Sequence, residues 1–162
     1  MSANGETPAP AIPEEFKGAL AKALKIVELR ERFTSDLRSR LEKGGFAPEA
    51  IEFVVGFLTE RKMLDDGRLV GVLLERRIGK RAMGRDRLRA DLIAKGAPED
   101  VVDECLATVP FEAEQDDLDS LVSSRARQGD SRAKVARFVF GRGYREDDIE
   151  AALERHFGSS FE

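Results

Sequence analysis

The chain has 162 residues, 41% of them apolar and 36% charged, with a net charge of −4 and a mean hydropathy of −0.38. That length can bury a full core, while the longest unbroken aliphatic run, Leu69 to Leu74 with Gly71 inside it, falls far short of the roughly 20 residues of a spanning helix, so no membrane segment is expected. One His, one Cys and no Trp leave few ingredients for a nucleophile, a metal site or an acid–base pair, so neither an enzyme nor a metal or cofactor site is expected.

The start of the chain is rich in proline (Pro8, Pro10, Pro13) and small residues, and reads as a disordered tail over residues 1–15. It has no basic start followed by an apolar stretch, which predicts no secretory signal and, with a lone Cys105, a cytoplasmic location. From Phe16 onward apolar residues recur at three- and four-residue spacing (Leu20, Leu24, Val27; Leu37, Leu41), and no stretch alternates as a strand does. The class predicted is all-α.

Three segments align without a gap when Gly45, Gly96 and Gly143 share one position, a repeat of about 50 residues. Eight residues before each Gly stand Leu37, Leu88 and Val135, and four before stand Leu41, Leu92 and Val139. Six after stand Ile51, Val102 and Ile149, and ten after stand Val55, Leu106 and Leu153. The Gly marks where a first helix stops in a left-handed residue, and the acids that follow (Glu49; Glu99, Asp100; Glu146, Asp147, Asp148) suit the positive end of a second. A further helix precedes each pair, over residues 17–31, 66–81 and 114–127, with breaks at Phe33-Thr34, Met83-Gly84 and Gly129-Asp130-Ser131.

The expectation is three tandem three-helix repeats, 16–62, 63–110 and 111–157, forming an elongated curved array, with a short tail over 158–162. Leu69, Val70, Val72, Leu73 and Leu74 surround most of their helix, which predicts cover from two sides where repeats meet. Phe46, Phe53, Phe57, Phe138 and Phe140 stand at core spacing, and Cys105 on the stripe of Val101, Val102 and Leu106 is read as a core residue.

Several apparent sites fail on inspection. Gly79-Lys80-Arg81-Ala82-Met83-Gly84-Arg85 has the glycine spacing of a phosphate loop, but lacks the Lys-Ser/Thr and follows a helix where a strand is required. Asp116, Asp117 and Asp119 lack the Gly and bidentate Glu of a calcium loop and read as solvated caps, and His156 has no second His or Cys with which to share a metal. Helix, Gly turn, helix outlines a helix-turn-helix, but its second helices begin with carboxylates that would meet phosphates.

Charge is banded along the chain. Residues 61–95 carry eleven basic and five acidic groups, residues 98–122 nine acidic and no basic, and residues 123–145 seven basic and one acidic. Arg76, Arg77, Lys80 and Arg81 crowd one helix end, and Arg85, Arg87 and Arg89 begin the next, with Arg87 placed to pair with Asp91. Arg125, Arg127, Arg132, Lys134, Arg137, Arg142 and Arg145 form a second band. Each band fits either a solvated face or a surface that meets a polyanion or an acidic protein patch.

Leu64-Asp65-Asp66-Gly67-Arg68-Leu69, Arg77, and Gly84-Arg85-Asp86-Arg87-Leu88 running on to Lys95-Gly96 resemble the RecX family, regulators of the bacterial recombinase RecA. The resemblance covers about residues 20–157 and is most specific where L-D-D-x-R opens one helix and G-x-x-R-L-x-x-x-L-x-x-K-G forms the next. It implies an elongated, curved, all-helical protein that lies in the groove of the RecA–DNA filament, bridges neighbouring subunits and limits filament growth, so that recombinase and coprotease activities fall together, with DNA repair and the SOS response as the setting; a monomer is expected. The partner-binding residues it implies, with the basic band, are Asp66, Arg68, Arg76, Arg77, Lys80, Arg81, Arg85, Arg87, Arg89 and Lys95. Contact with single- or double-stranded DNA is expected to be weak. The alternative is a general nucleic-acid-binding module using Arg76 to Arg89 as a phosphate track, and a third is a structural adaptor for another protein.

Overall fold

A computed structural model of the chain describes residues 11–77 and 81–158, and these are α-helical throughout with no strand among them. After a 3-10 turn at Glu14–Phe16 come α1 (Lys17–Leu29), α2 (Thr34–Lys43) and α3 (Pro48–Glu60). They are followed by α4 (Asp66–Glu75), α5 (Arg85–Ala94) and α6 (Glu99–Ala107), then α7 (Phe111–Arg127), α8 (Arg132–Gly141) and α9 (Glu146–Phe157). The chain divides into two compact units, Met1–Leu64 and Asp65–Glu162.

The glycine signal that defined the repeat is a backbone fact. Gly45, Gly96 and Gly143 have φ of +83°, +102° and +84°, values that an L side chain rarely adopts. In the first two, the residue after the glycine donates its N–H back into the helix, Phe46 to the Leu41 carbonyl at 3.3 Å and Ala97 to that of Leu92 at 3.1 Å. The turn thus satisfies carbonyls that the helix end would otherwise leave without partners.

In the first unit Leu20, Ile26, Leu37, Leu41, Val54 and Leu58 lead a closed core, against which Phe46, Phe53 and Phe57 pack. Ile12 and Phe16 pack on it as well. Leu64 joins this core, closing the unit just past residue 62.

The second unit holds both remaining repeats, with α4 packed on α6, α5 on α6, and α7, α8 and α9 on one another. Leu118, Val122, Val135, Val139, Ile149 and Leu153 form its α7–α9 core. Two expected boundaries move. The helix predicted over 66–81 stops at Glu75 with Arg76 as its cap, because Ala82 is needed elsewhere: it is fully buried in the α7–α9 core, which a continued helix would deny it. The helix predicted to start at 114 starts at Phe111, set by Pro110 and an acidic first turn. Of the apolar run in α4 only Val70 is fully buried, and Leu69, Val72, Leu73 and Leu74 are half-buried.

Gly84 joins the two repeats. Its N–H donates to the Arg142 carbonyl at 2.9 Å, and an added Cβ would lie 2.1 Å from the Gly143 oxygen, so the two backbones touch where no side chain fits.

Candidate functional site

The second unit brings basic residues from both bands into one groove of about 720 Å3. Arg76 and Arg77 come from the end of α4, Arg81 from the segment that follows, Arg87 and Lys95 from the two ends of α5, and Arg142 from the cap of α8. Leu73, Met83, Phe138 and Gly141 also line it, and no carboxylate does among the described residues.

Two of the six cations are fixed by the fold. Arg142 donates to the Ala82 carbonyl at 3.1 Å and lies 4.9 Å from the centre of the Phe138 ring, over which Arg125 also stacks at 4.2 Å. Arg87 donates to the Gly141 carbonyl rather than pairing with Asp91 as its helical spacing predicted, because the close approach at Gly143 places it against the end of α8. The side chains of Arg76, Arg77, Arg81 and Lys95 have no carboxylate partner among the described residues. Six like charges in one concavity, four of them not compensated, make a local positive field in a protein of net charge −4.

No protein-family model matches the sequence. Among curated proteins, the Regulatory protein RecX of Cronobacter sakazakii is 30% identical over 156 residues, covering 88% of this chain and 93% of that protein. The chain belongs to the RecX family. The Regulatory protein RecX of Clostridium tetani is 28% identical over 141 residues, and there the match spans 82% of this chain but only 64% of the relative. Two solved structures share the fold. The crystal structure of RecX from Lactobacillus salivarius superposes with a TM-score of 0.76 at 12% identity, covering 90% of this chain and 99% of that one, and a second RecX crystal structure gives 0.71 at 18% identity.

Within this RecX-family chain the sequence-predicted residues separate into groups with different surroundings. Arg76, Arg77, Arg81, Arg87 and Lys95 line the groove. Lys80 lies outside the described residues. Arg85 turns inward and holds α5, α6 and α7 together: its N–H and Nε reach the two Glu114 carboxylate oxygens at 2.9 and 3.4 Å, and its Nη atoms donate to the Leu106 and Val109 carbonyls at 2.5 and 2.9 Å. Arg89 makes a two-pronged pair with Asp103 at 2.7 and 3.1 Å, and that hydrogen bond holds the Asp103 carboxyl below its ordinary value. Arg85 and Arg89 thus each meet carboxylates or carbonyls of the fold.

The family motif at Leu64 to Leu69 is a helix start. Asp65 caps α4, its Oδ1 accepting the Arg68 N–H at 2.9 Å, so Asp66 and Arg68 stand in the first turn, at the opposite end of α4 from Arg76. They are not part of the groove.

Arg142, placed in the second band but not among the expected partner-binding residues, lines the groove, as do the uncharged Leu73, Met83, Phe138 and Gly141. A signal existed: Arg142 precedes Gly143 as Lys95 precedes Gly96, so the repeat puts both at the same cap position. Phe140, expected in the core, is 60% exposed beside Gly141. Cys105 is half-buried, with burial and then the Glu104 charge pushing its thiol above the ordinary value. His156 Nε2 lies 3.5 Å from Asp119, which Arg155 also engages. No helix among the described residues is long and apolar enough to cross a membrane.

Proposed function

We propose that this protein binds the filament that RecA forms on DNA and limits its growth, lowering recombinase and coprotease activity together, and that it does so without catalysing a reaction. The observation carrying this reading is the groove of Arg76, Arg77, Arg81, Arg87, Lys95 and Arg142, in which two arginines are pre-positioned and four cations await a counter-charge. A RecA–DNA filament supplies negative charge along its length, and complementary charge sets both approach and register at such an interface. The protein acts here as a cytoplasmic monomer. Titrating it into RecA on single-stranded DNA tests the reading directly: ATP turnover falls and filaments shorten as it is added, whereas turnover and length that stay constant across the titration reject it.

One observation favours a second reading, a general nucleic-acid-binding module. Phe140 is exposed next to the cationic groove, and an exposed ring beside phosphate-binding cations is how single strands are held without sequence preference. Binding of a DNA oligonucleotide at physiological salt in the absence of RecA, as tight as binding to the filament, would favour this second reading.

A further inference from the structure

A second groove of about 420 Å3 lies between α4, α5, α6 and α7 and shares Arg77 and Met83 with the cationic one. Its chemistry is the opposite. Leu74, Leu88, Leu106, Val109 and Ala113 supply mostly apolar walls, and the carboxylates of Glu75, Glu114, Asp116 and Asp117 in its lining outnumber the cations Arg77 and Arg85. The walls are held by the Arg85 network: Glu114 ties α7 to the start of α5, and the Arg85 guanidinium ties both to the end of α6.

Glu114 is thereby engaged, but Glu75, Asp116 and Asp117 have no cationic partner among the described residues. Asp117 shows the consequence, its carboxyl raised above the ordinary value first by burial and then by the charges of Asp116 and Glu114. The site holds an excess of negative charge beside apolar surface.

We propose that this groove docks a protein segment in which an aliphatic side chain sits next to a lysine or arginine. The hydrocarbon lies against Leu88, Leu106 and Val109, and the cationic head meets Asp116 and Asp117. A nucleic-acid backbone would meet uncompensated carboxylates here, and so would an acidic peptide. A purely aliphatic segment would bury the walls while taking those carboxylates out of water unpaired. Only a segment with both parts satisfies both halves of the groove, and long basic side chains bring an apolar stem with their charge. The protein thus carries adjoining surfaces of opposite demand, one for negative charge and one for a basic, apolar protein segment. This second contact does not depend on the cationic groove or on RecA.

The test is a titration of the isotope-labelled full chain, followed by amide chemical shifts, with N-acetyl-Leu-Arg-amide and, separately, N-acetyl-Leu-Glu-amide. The arginine peptide shifts Leu88, Leu106, Val109 and Asp117 saturably, and the glutamate peptide does not. An Asp116→Asn, Asp117→Asn double variant, folded by circular dichroism, weakens the arginine peptide by about threefold or more, the scale of part-exposed ion pairs. Equal shifts from both peptides, shifts elsewhere on the surface only, or undiminished binding in the double variant overturns the proposal. A RecA titration that fails while the peptide still binds removes the proposed function and leaves this site standing. The converse result removes the site alone.

Discussion

Replacing Gly84 by alanine adds one carbon at a position where the backbone angles, φ −64° and ψ 150°, suit any residue. The cost is therefore steric. The new Cβ would stand 2.1 Å from the Gly143 oxygen, 2.4 Å from its carbonyl carbon and 2.6 Å from the Tyr144 nitrogen, all backbone atoms, which cannot swing aside as a side chain does. Relief requires the turn between α8 and α9 to draw back by about 1 Å or more, to an ordinary van der Waals separation. That breaks the Gly84 N–H bond to Arg142 and strains the Arg142 bond to Ala82. Overpacking against an unyielding wall and one lost hydrogen bond together amount to about 2–4 kcal/mol. Gly71→Ala is the internal control: it sits inside α4 with no atom within 4 Å of the added carbon, and gains about 0.5–1 kcal/mol from helix propensity. Calorimetry of the full chain should show the transition of the second unit lowered by roughly 10 °C or more in the first variant and raised by a few degrees in the second. A Gly84→Ala protein that melts with the parent would refute the close packing of the second and third repeats.

Arg85→Ala keeps the backbone N–H bond to Glu114 but removes the guanidinium bonds to the Leu106 and Val109 carbonyls and to the second Glu114 oxygen, and should destabilise the second unit by about 1–3 kcal/mol in urea unfolding. Arg89→Ala, which removes only exposed pairs with Asp103 and Glu99, should leave the urea midpoint nearly unchanged, and the reverse order would contradict these roles. Asp117 has its folded-state carboxyl raised, so the fold favours its protonated form and loses stability as pH rises through the carboxylate range. Asp117→Asn should therefore be more stable than the parent at neutral pH, with the difference vanishing in acid where both are uncharged. A difference independent of pH would point to packing instead.

The repeat was legible because its marker is steric: a left-handed turn selects glycine, so Gly45, Gly96 and Gly143 stand out in any alignment of the chain with itself. The end of α4 was not legible, because the helical spacing runs on through Arg76 and Arg77 and only the burial of Ala82 against α7–α9 ends it. The site was half legible. Arginine content gave the charge but not its compensation, since Arg81 and Arg85 look alike in sequence and differ only in having a partner 29 residues away. For Arg89 the signal was present: Arg38 pairs with Glu52 at 3.0 and 3.1 Å, and both pairs stand seven residues to either side of their repeat's glycine. A pair that recurs with the repeat braces the helix pair. The acid-rimmed groove stayed hidden because the nine acids of residues 98–122 include caps, pair members and uncompensated groups that composition alone does not sort.

The cationic groove carries the proposed function, and charge reversal at Arg76 and Arg81, its exposed arginines without a carboxylate partner among the described residues, probes it most directly. Arg76→Glu with Arg81→Glu removes two uncompensated cations, touches no side-chain hydrogen bond among the described residues, and spares Arg77, which lines both grooves. With helicity confirmed by circular dichroism, inhibition of RecA ATP turnover on single-stranded DNA should weaken by roughly tenfold or more, because like charges opposed across an interface cost several kcal/mol. Undiminished inhibition by the folded double variant would contradict the assignment of partner binding to this groove.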